Sequence, residues 1–295
     1  MESACQSIDD RAATTLSPTM VEIAGGEFVM GGENAGLIGS TTQRQPIRIS
    51  GFLLGTFPVT NREYQRFVIA TGHRSPHLEV MDAAPYNWVG SQFPAGCDNH
   101  PVVLVSWEDA HSYCTWLEEQ TSARFRLPTE GEWEYAARAG THTAYPWGEE
   151  WEPGHCNSLD RFSPTAATGY ESWSEWHRRG YRDLMSFVNT TAVDLFTPNS
   201  YGISDQIGNV WEWCSDWYAE RDSCTAIKDP TGPDIGAAKV ARGGSWISIV
   251  SKLRVYHRCY RAINSRGFHV GFRVAMSLPQ HRSQTSMNKD PHSER

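Results

Sequence analysis

Residues 141–204 run without an apolar period of either helix or strand, carrying Gly, Pro, Asn and Trp instead. A loop that long inside a folded domain is functional, tied down by an ion, or disordered. It restricts the chain to folds in which side chains, rather than ladders, hold the backbone. The means are present. Twelve tryptophans occur in 295 residues, and Trp147, Trp151, Trp173, Trp176, Trp211, Trp213 and Trp217 lie in or beside the irregular stretches. Large rings pin loop backbone where no sheet does, and the other use of so many is an aromatic-lined groove.

The regular elements are short. Three helices are announced by their caps: Thr60 with Glu63 ahead of Tyr64, Phe67 and Val68, stopping at Gly72; Ser106 with Asp109 ahead of Ala110, Cys114 and Leu117; and Thr129 with Glu132 ahead of Trp133, Ala136 and Ala137, stopping at Gly140. Strands are expected at 21–24, 27–30, 47–54, 102–105, 239–242 and 270–276. No repeat, heptad run or Gly/Ser linker divides the chain. The reading is one α+β domain over 20–277, loop-rich, with disordered tails at 1–19 and 278–295 where large apolar residues are scarce.

Composition excludes several function classes. The net charge of −8 argues against a nucleic-acid binder. Apolar runs such as Val102-Val103-Leu104-Val105 are far short of a membrane span, and residues 1–20 lack the pattern of a signal peptide. Seven cysteines without a CxxC spacing are expected to be free thiols of a cytoplasmic protein. Charge is unevenly placed: from Ile235 to Lys289 there are ten Lys and Arg and no Asp or Glu. That segment either pairs with the acidic body or lines a site for anionic or polar ligands.

The motifs then carry a resemblance. Gly25-Gly26-Glu27-Phe28-Val29-Met30-Gly31, Pro58-Val59-Thr60-Asn61, Pro101-Val102-Val103 through Ser106-Trp107, and Arg126-Leu127-Pro128-Thr129-Glu130 resemble the formylglycine-generating-enzyme (sulfatase-modifying factor) domain. Tyr145-Pro146-Trp147-Gly148, Asn199-Ser200-Tyr201-Gly202, Gly208-Asn209-Val210-Trp211-Glu212-Trp213, Arg242-Gly243-Gly244-Ser245-Trp246 and Gly271-Phe272-Arg273 continue it in order. The resemblance implies a C-type-lectin-like fold. It leaves function open, because the same domain serves formylglycine-generating oxidases, sulfoxide synthases, a pyoverdine-maturation enzyme and retroelement variable proteins.

The oxidases hold copper(I) on two thiolates, soft ligands that select it, spaced five residues apart after the Gly-Gly-Ser motif. Those positions here are Ser248 and Leu253, or Arg254 on a one-residue slip, and Cys259 is the only thiol nearby. Copper is therefore not expected. His73 and His77, with Pro76 between them, read as loop histidines, and His111 as a solvated one. The family's structural calcium would fall on Asp205, Gly208, Val210 and Glu212, two carboxylates alternating with turn carbonyls; the alternative is a capped turn. A second calcium would need an acid where Met185 stands, and Asn157 alone does not make that site.

Variable proteins of this fold diversify a stretch between Gly-Gly-Ser-Trp and Gly-Phe-Arg at AAC codons, whose products exclude Glu, Lys, Met, Gln and Trp. Residues 247–270 contain only Lys252 of those five, where average usage would give roughly five. Exposed binding positions are then expected at Ile247, Ser248, Ile249, Val255, Tyr256, Tyr260, Ile263, Asn264, Phe268 and His269, with Arg254, Arg258, Arg261, Arg266 and Arg273 as framework. The leading expectation is a monomeric non-oxidase that binds a protein or small-molecule ligand, with anions favoured by the basic segment. The alternative is an oxidoreductase without the cysteine pair, in which Ser245 and Trp211 position substrate and Arg258 contacts an anion.

Overall fold

The computed structural model describes residues 16–32, 44–169, 174–176, 178, 181–219 and 227–278. The expected N-terminal and C-terminal tails lie largely outside these, as do Cys5, Trp173 and Cys224. Leu16, assigned by composition to the N-terminal tail, packs against the main core, and Thr19 O accepts from Thr56 N.

All three capping boxes form. Helix α1 (Asn61–Thr71) begins at Thr60, whose side chain accepts from Glu63 N while Glu63 returns to Thr60 N at 2.7 Å. It ends at Gly72 with φ 69°. Helix α2 (Trp107–Thr121) uses Ser106 and Asp109, and α3 (Glu130–Arg138) uses Thr129 and Glu132. The left-handed cap of α3 falls on Ala139, one residue before the expected Gly140, which is itself left-handed.

The strands depart further from expectation. Strands β1 (Met20–Ile23), β2 (Gly26–Met30) and β7 (Lys239–Arg242) fall where read. The expected 47–54 strand is two, β3 (Gln45–Ile49) and β4 (Phe52–Gly55), which enter different sheets. Residues 102–105 are fully buried but form no strand, because Leu104 takes φ 62° and the backbone reaches Val59 and Gly267 separately. The 270–276 stretch divides into β9 (Val270–Gly271) and β10 (Ala275–Ser277). Strands β5 (Phe125–Arg126), β6 (Trp211–Trp217) and β8 (Arg258–Arg261) were not anticipated.

One sheet has the order β1-β4-β10-β5, a hairpin joins β2 and β3, and a second sheet runs β8-β7-β6-β9 with β6 and β9 parallel. Helices α1 and α2 pack on the main core through Tyr64, Phe67, Tyr113 and Leu117, meeting Trp211, Trp213 and Phe272. The turn before β6 fixes how the long loops enter. Gly208 (φ 80°) donates to Gly243 O, and a Cβ there would lie 2.4 Å from Asn157 O. Only glycine admits that approach. Asn209 N donates to Asn157 O, and Trp246 N to Asn209 O. One turn thereby ties the 141–204 stretch to the Gly-Gly-Ser-Trp segment.

Candidate functional site

Buried ion pairs frame the region. Arg258 on β8 places Nε and Nη2 on the two Glu130 oxygens at 2.5 and 2.8 Å. Arg242 on β7 meets Glu134 at 2.5 Å, and Arg138 joins the same carboxylate at 2.9 Å. Arg273 grips Glu212 on β6 with two bonds of 2.6 Å, and Trp133 Nε1 donates to the same Glu212 at 2.7 Å. Such pairs cost desolvation to bury, and breaking one partner out is what destabilises. Arg258 and Arg273 are thus framework, as one reading of the basic segment held. Arg258 as an anion contact is corrected: its guanidinium is spent on Glu130 and Ala219 O.

The 247–270 segment turns inward more than its composition suggests. Val255 (0% exposed) and Tyr256 sit in a cluster with Trp133 and Leu253, and Ile249 packs with Leu159 and Ala167. Ser248 is buried, its Oγ accepting from Ser245 N at 3.0 Å. The expectation that these four are exposed is therefore corrected: the segment is short of strand and folds its β-branched residues into the core. Ile247, Ile263, Phe268 and His269 are half-buried, and Tyr260 (47%) and Asn264 are exposed. Ser245 and Trp211 are both buried.

In and beside this segment, cations lie against aromatic rings. Lys239 Nζ lies 4.2 Å from the Trp107 ring and 4.0 Å from the Trp217 ring, donating to Ser215 O. Tyr260 packs on Tyr218, over which Arg258 stacks. Arg261 Nη2 lies 2.5 Å from His269 Nε2. A guanidinium can only donate, so Nε2 accepts and the proton of the neutral ring sits on Nδ1. Burial, then the Arg261 and Lys252 charges, pull His269 down to about 3. Its Nδ1 and Arg261 Nε are both buried without a partner.

At the positions that the resemblance assigns to calcium, one of the two carboxylates already has a cationic partner. Glu212 accepts three charge-assisted or buried bonds from Arg273 and Trp133, and both it and Arg273 are 0% exposed. A cation there would compete with a guanidinium already seated. Asp205 differs. Its Oδ2 accepts from Asn209 Nδ2, its Oδ1 has no partner, and burial pushes its carboxyl up to about 7. Asn157 Nδ2 donates to Asn189 O, and Met185 is buried with Trp246. Among the described residues no three His, Cys, Asp or Glu stand close enough to share a metal.

The thiols are structural in character. Cys97, Cys114, Cys156 and Cys214 are buried and Cys259 half-buried; burial pushes the first four up from the ordinary thiol range. Ser248 and Leu253 occupy the places of the family's pair, and Leu253 is wholly within the core. His73 pairs with Asp109, and His111 is exposed and stacks on Trp107.

Sequence reasoning missed a pocket of about 310 Å³ bounded by Trp147, His155, Phe196, Ile207 and Asp205. The Tyr145-Pro146-Trp147-Gly148 and Asn199-Ser200-Tyr201-Gly202 motifs and Asp205 pointed near it without marking a cavity. Among the described residues no helix is long and apolar enough to cross a membrane.

The sequence pattern of the sulfatase-modifying factor enzyme 1-like domain matches residues 6–278. The chain is similar to the formylglycine-generating enzyme of Thermomonospora curvata, 36% identical over 91% of this chain and 96% of that one. Two solved structures share the fold: PvdO from Pseudomonas aeruginosa (TM-score 0.68, 24% identity, 89% of this chain and 95% of that one) and Treponema denticola variable protein 1 (TM-score 0.65, 22% identity, 88% and 95%).

Proposed function

The chain belongs to the sulfatase-modifying factor enzyme 1-like family, and from that premise we propose that it is a non-oxidase member binding an anionic ligand at the rim of its C-terminal segment. The observation that carries the reading is the Arg261–His269 pair. Two donors, Arg261 Nε and His269 Nδ1, are held without acceptors, with the Lys252 charge acting on His269 and with Tyr260 and Asn264 exposed in the same segment. A carboxylate, sulfate or phosphate would supply the acceptors, since a guanidinium N–H and the Nδ1–H of a neutral imidazole can only donate. The absent cysteine pair supports a non-oxidase: a leucine in the core cannot supply a thiolate. The retroelement variable-protein form of this reading keeps Tyr260, Asn264, Ile263, Phe268, His269 and Ile247 as contact positions and drops Ser248, Ile249, Val255 and Tyr256. We assign no role to calcium, since Glu212 is committed elsewhere.

Titration with sodium sulfate, phosphate and acetate, followed by imidazole and tyrosine NMR, tests the proposal. Saturable shifts at His269 and Tyr260 are expected, weakened by Lys252→Glu. Saturable shifts confined to other histidines would overturn it, as would none at all.

A further inference from the structure

Independently of that surface, we infer that a second cavity, where Arg254 and Glu149 stand on either side of Ala144, binds a small zwitterion of the amino-acid class. The cavity measures about 350 Å³ and is walled by Arg44, Arg138, Arg254, Glu149, Glu150 and Tyr256. That volume is at the low end for small-molecule sites. Its walls carry both signs of charge and hardly any aliphatic surface.

Arg254 stands apart from the other arginines of the region. Arg138, Arg242, Arg258 and Arg273 each grip a carboxylate. Half-buried Arg254 forms no ion pair among the described residues. It faces two phenols instead. Burial raises the Tyr145 and Tyr256 hydroxyls, and Arg254 offsets part of that rise by hydrogen bonding and by charge. A phenol orients a guanidinium without neutralising it, so the Arg254 charge is left for a ligand. Arg138, 3% exposed, is by contrast committed to Glu134, Gly31 O and Thr143 O.

The opposite charge is held close by. Ala144 N donates to Glu149 Oε2 at 3.1 Å, and Ala144 O accepts from Val255 N at 2.9 Å. One residue therefore ties the Glu149 carboxylate to the chain between Arg254 and Tyr256. Arg254, Glu149 and Arg138 all act on the Tyr256 hydroxyl, so that one atom lies within range of all three. The Tyr256 ring is itself fixed, since a Cβ at Gly32 would fall 2.4 Å from its Cδ1. Glu149 and Arg254 are thus neighbours of opposite sign that other partners keep from pairing. An anion alone would face Glu149 and Glu150, and a cation alone would face Arg44, Arg138 and Arg254. A molecule with a carboxylate and an ammonium sets a charge-assisted bond at each end.

The test uses L-glutamine as probe, with N-acetyl-L-glutamine, which lacks the ammonium, and L-glutaminamide, which lacks the carboxylate. Calorimetry should give saturable one-site binding of L-glutamine, with each comparator about tenfold or more weaker. Arg254→Gln and Glu149→Gln should each weaken binding about tenfold. Glu149 is exposed, so its variant should melt with the parent, which separates lost binding from lost fold. No saturable binding of L-glutamine overturns the inference. Equal affinity for the acetylated form marks a plain anion cradle, and equal affinity for the amide a plain cation site; either overturns it. Binding unchanged in both variants assigns the probe to another surface and also overturns it.

Discussion

Replacing Glu212 with Gln removes one charge from a site where every partner is known. Glu212 lies on β6, 0% exposed, and takes two bonds of 2.6 Å from Arg273 and one of 2.7 Å from Trp133. The variant leaves the Arg273 guanidinium buried without its countercharge, with one amide oxygen and the carbonyls of Gly55, Thr56 and Ser204 as acceptors. It also turns an amide N–H₂ toward groups that can only donate. Removing one partner of a buried pair costs about 3–5 kcal/mol, and in a domain of this size each kcal/mol lowers Tm by about 2–4 °C. A fall of about 10 °C is expected. Thermal unfolding followed by circular dichroism, with calcium chloride and with EDTA, measures it. The loss should be the same in both buffers, and Arg273→Met in the Glu212→Gln background should recover part of it, because the stranded charge is then gone. A melting point within about 2 °C of the parent, or a loss seen only with calcium, would refute the assignment of Glu212 to Arg273.

Other outcomes follow from the same structure. Leu253→Ala, emptying a position 0% exposed against Trp133 and Val255, should cost about 2–5 kcal/mol in denaturant unfolding, whereas Tyr260→Ala should change stability little and weaken sulfate binding. Asp216 is buried, and burial followed by the Glu130 charge raises its carboxyl to about 7. Its raised pKa contributes stability that is complete below the unfolded value of 3.8 and lost as pH rises through about 7. Asp216→Asn should flatten that decline between pH 4 and 7, read as Tm against pH. Thr129→Ala should cost about 1 kcal/mol by removing the cap of α3.

The elements that sequence made legible are those whose signals are local. Thr60, Ser106 and Thr129 announce helix starts within four residues, and each cap forms as read. Strand β6 escaped because Trp211-Glu212-Trp213-Cys214 is buried on both faces, so no polar alternation marks it; its acid is inside because Arg273 lies 61 positions away. The inward turn of Ile249, Val255 and Tyr256 was equally hidden, since a segment of β-branched and aromatic residues reads alike as core or as contact surface. At the candidate sites, composition found the basic segment but not which arginines it spends internally. The Arg258–Glu130 pair spans 128 positions. The Trp147–Asp205 pocket needs the turn at Gly208 to fold the long loop back, a contact written in no short motif.

Anaerobic titration with Cu(I), followed by oxygen uptake with a cysteine-containing sulfatase peptide, tests the non-oxidase reading most directly. With Ser248 and Leu253 in place of the paired thiols, no tight one-to-one complex and no uptake are predicted. Stoichiometric copper binding with turnover of the peptide would contradict it.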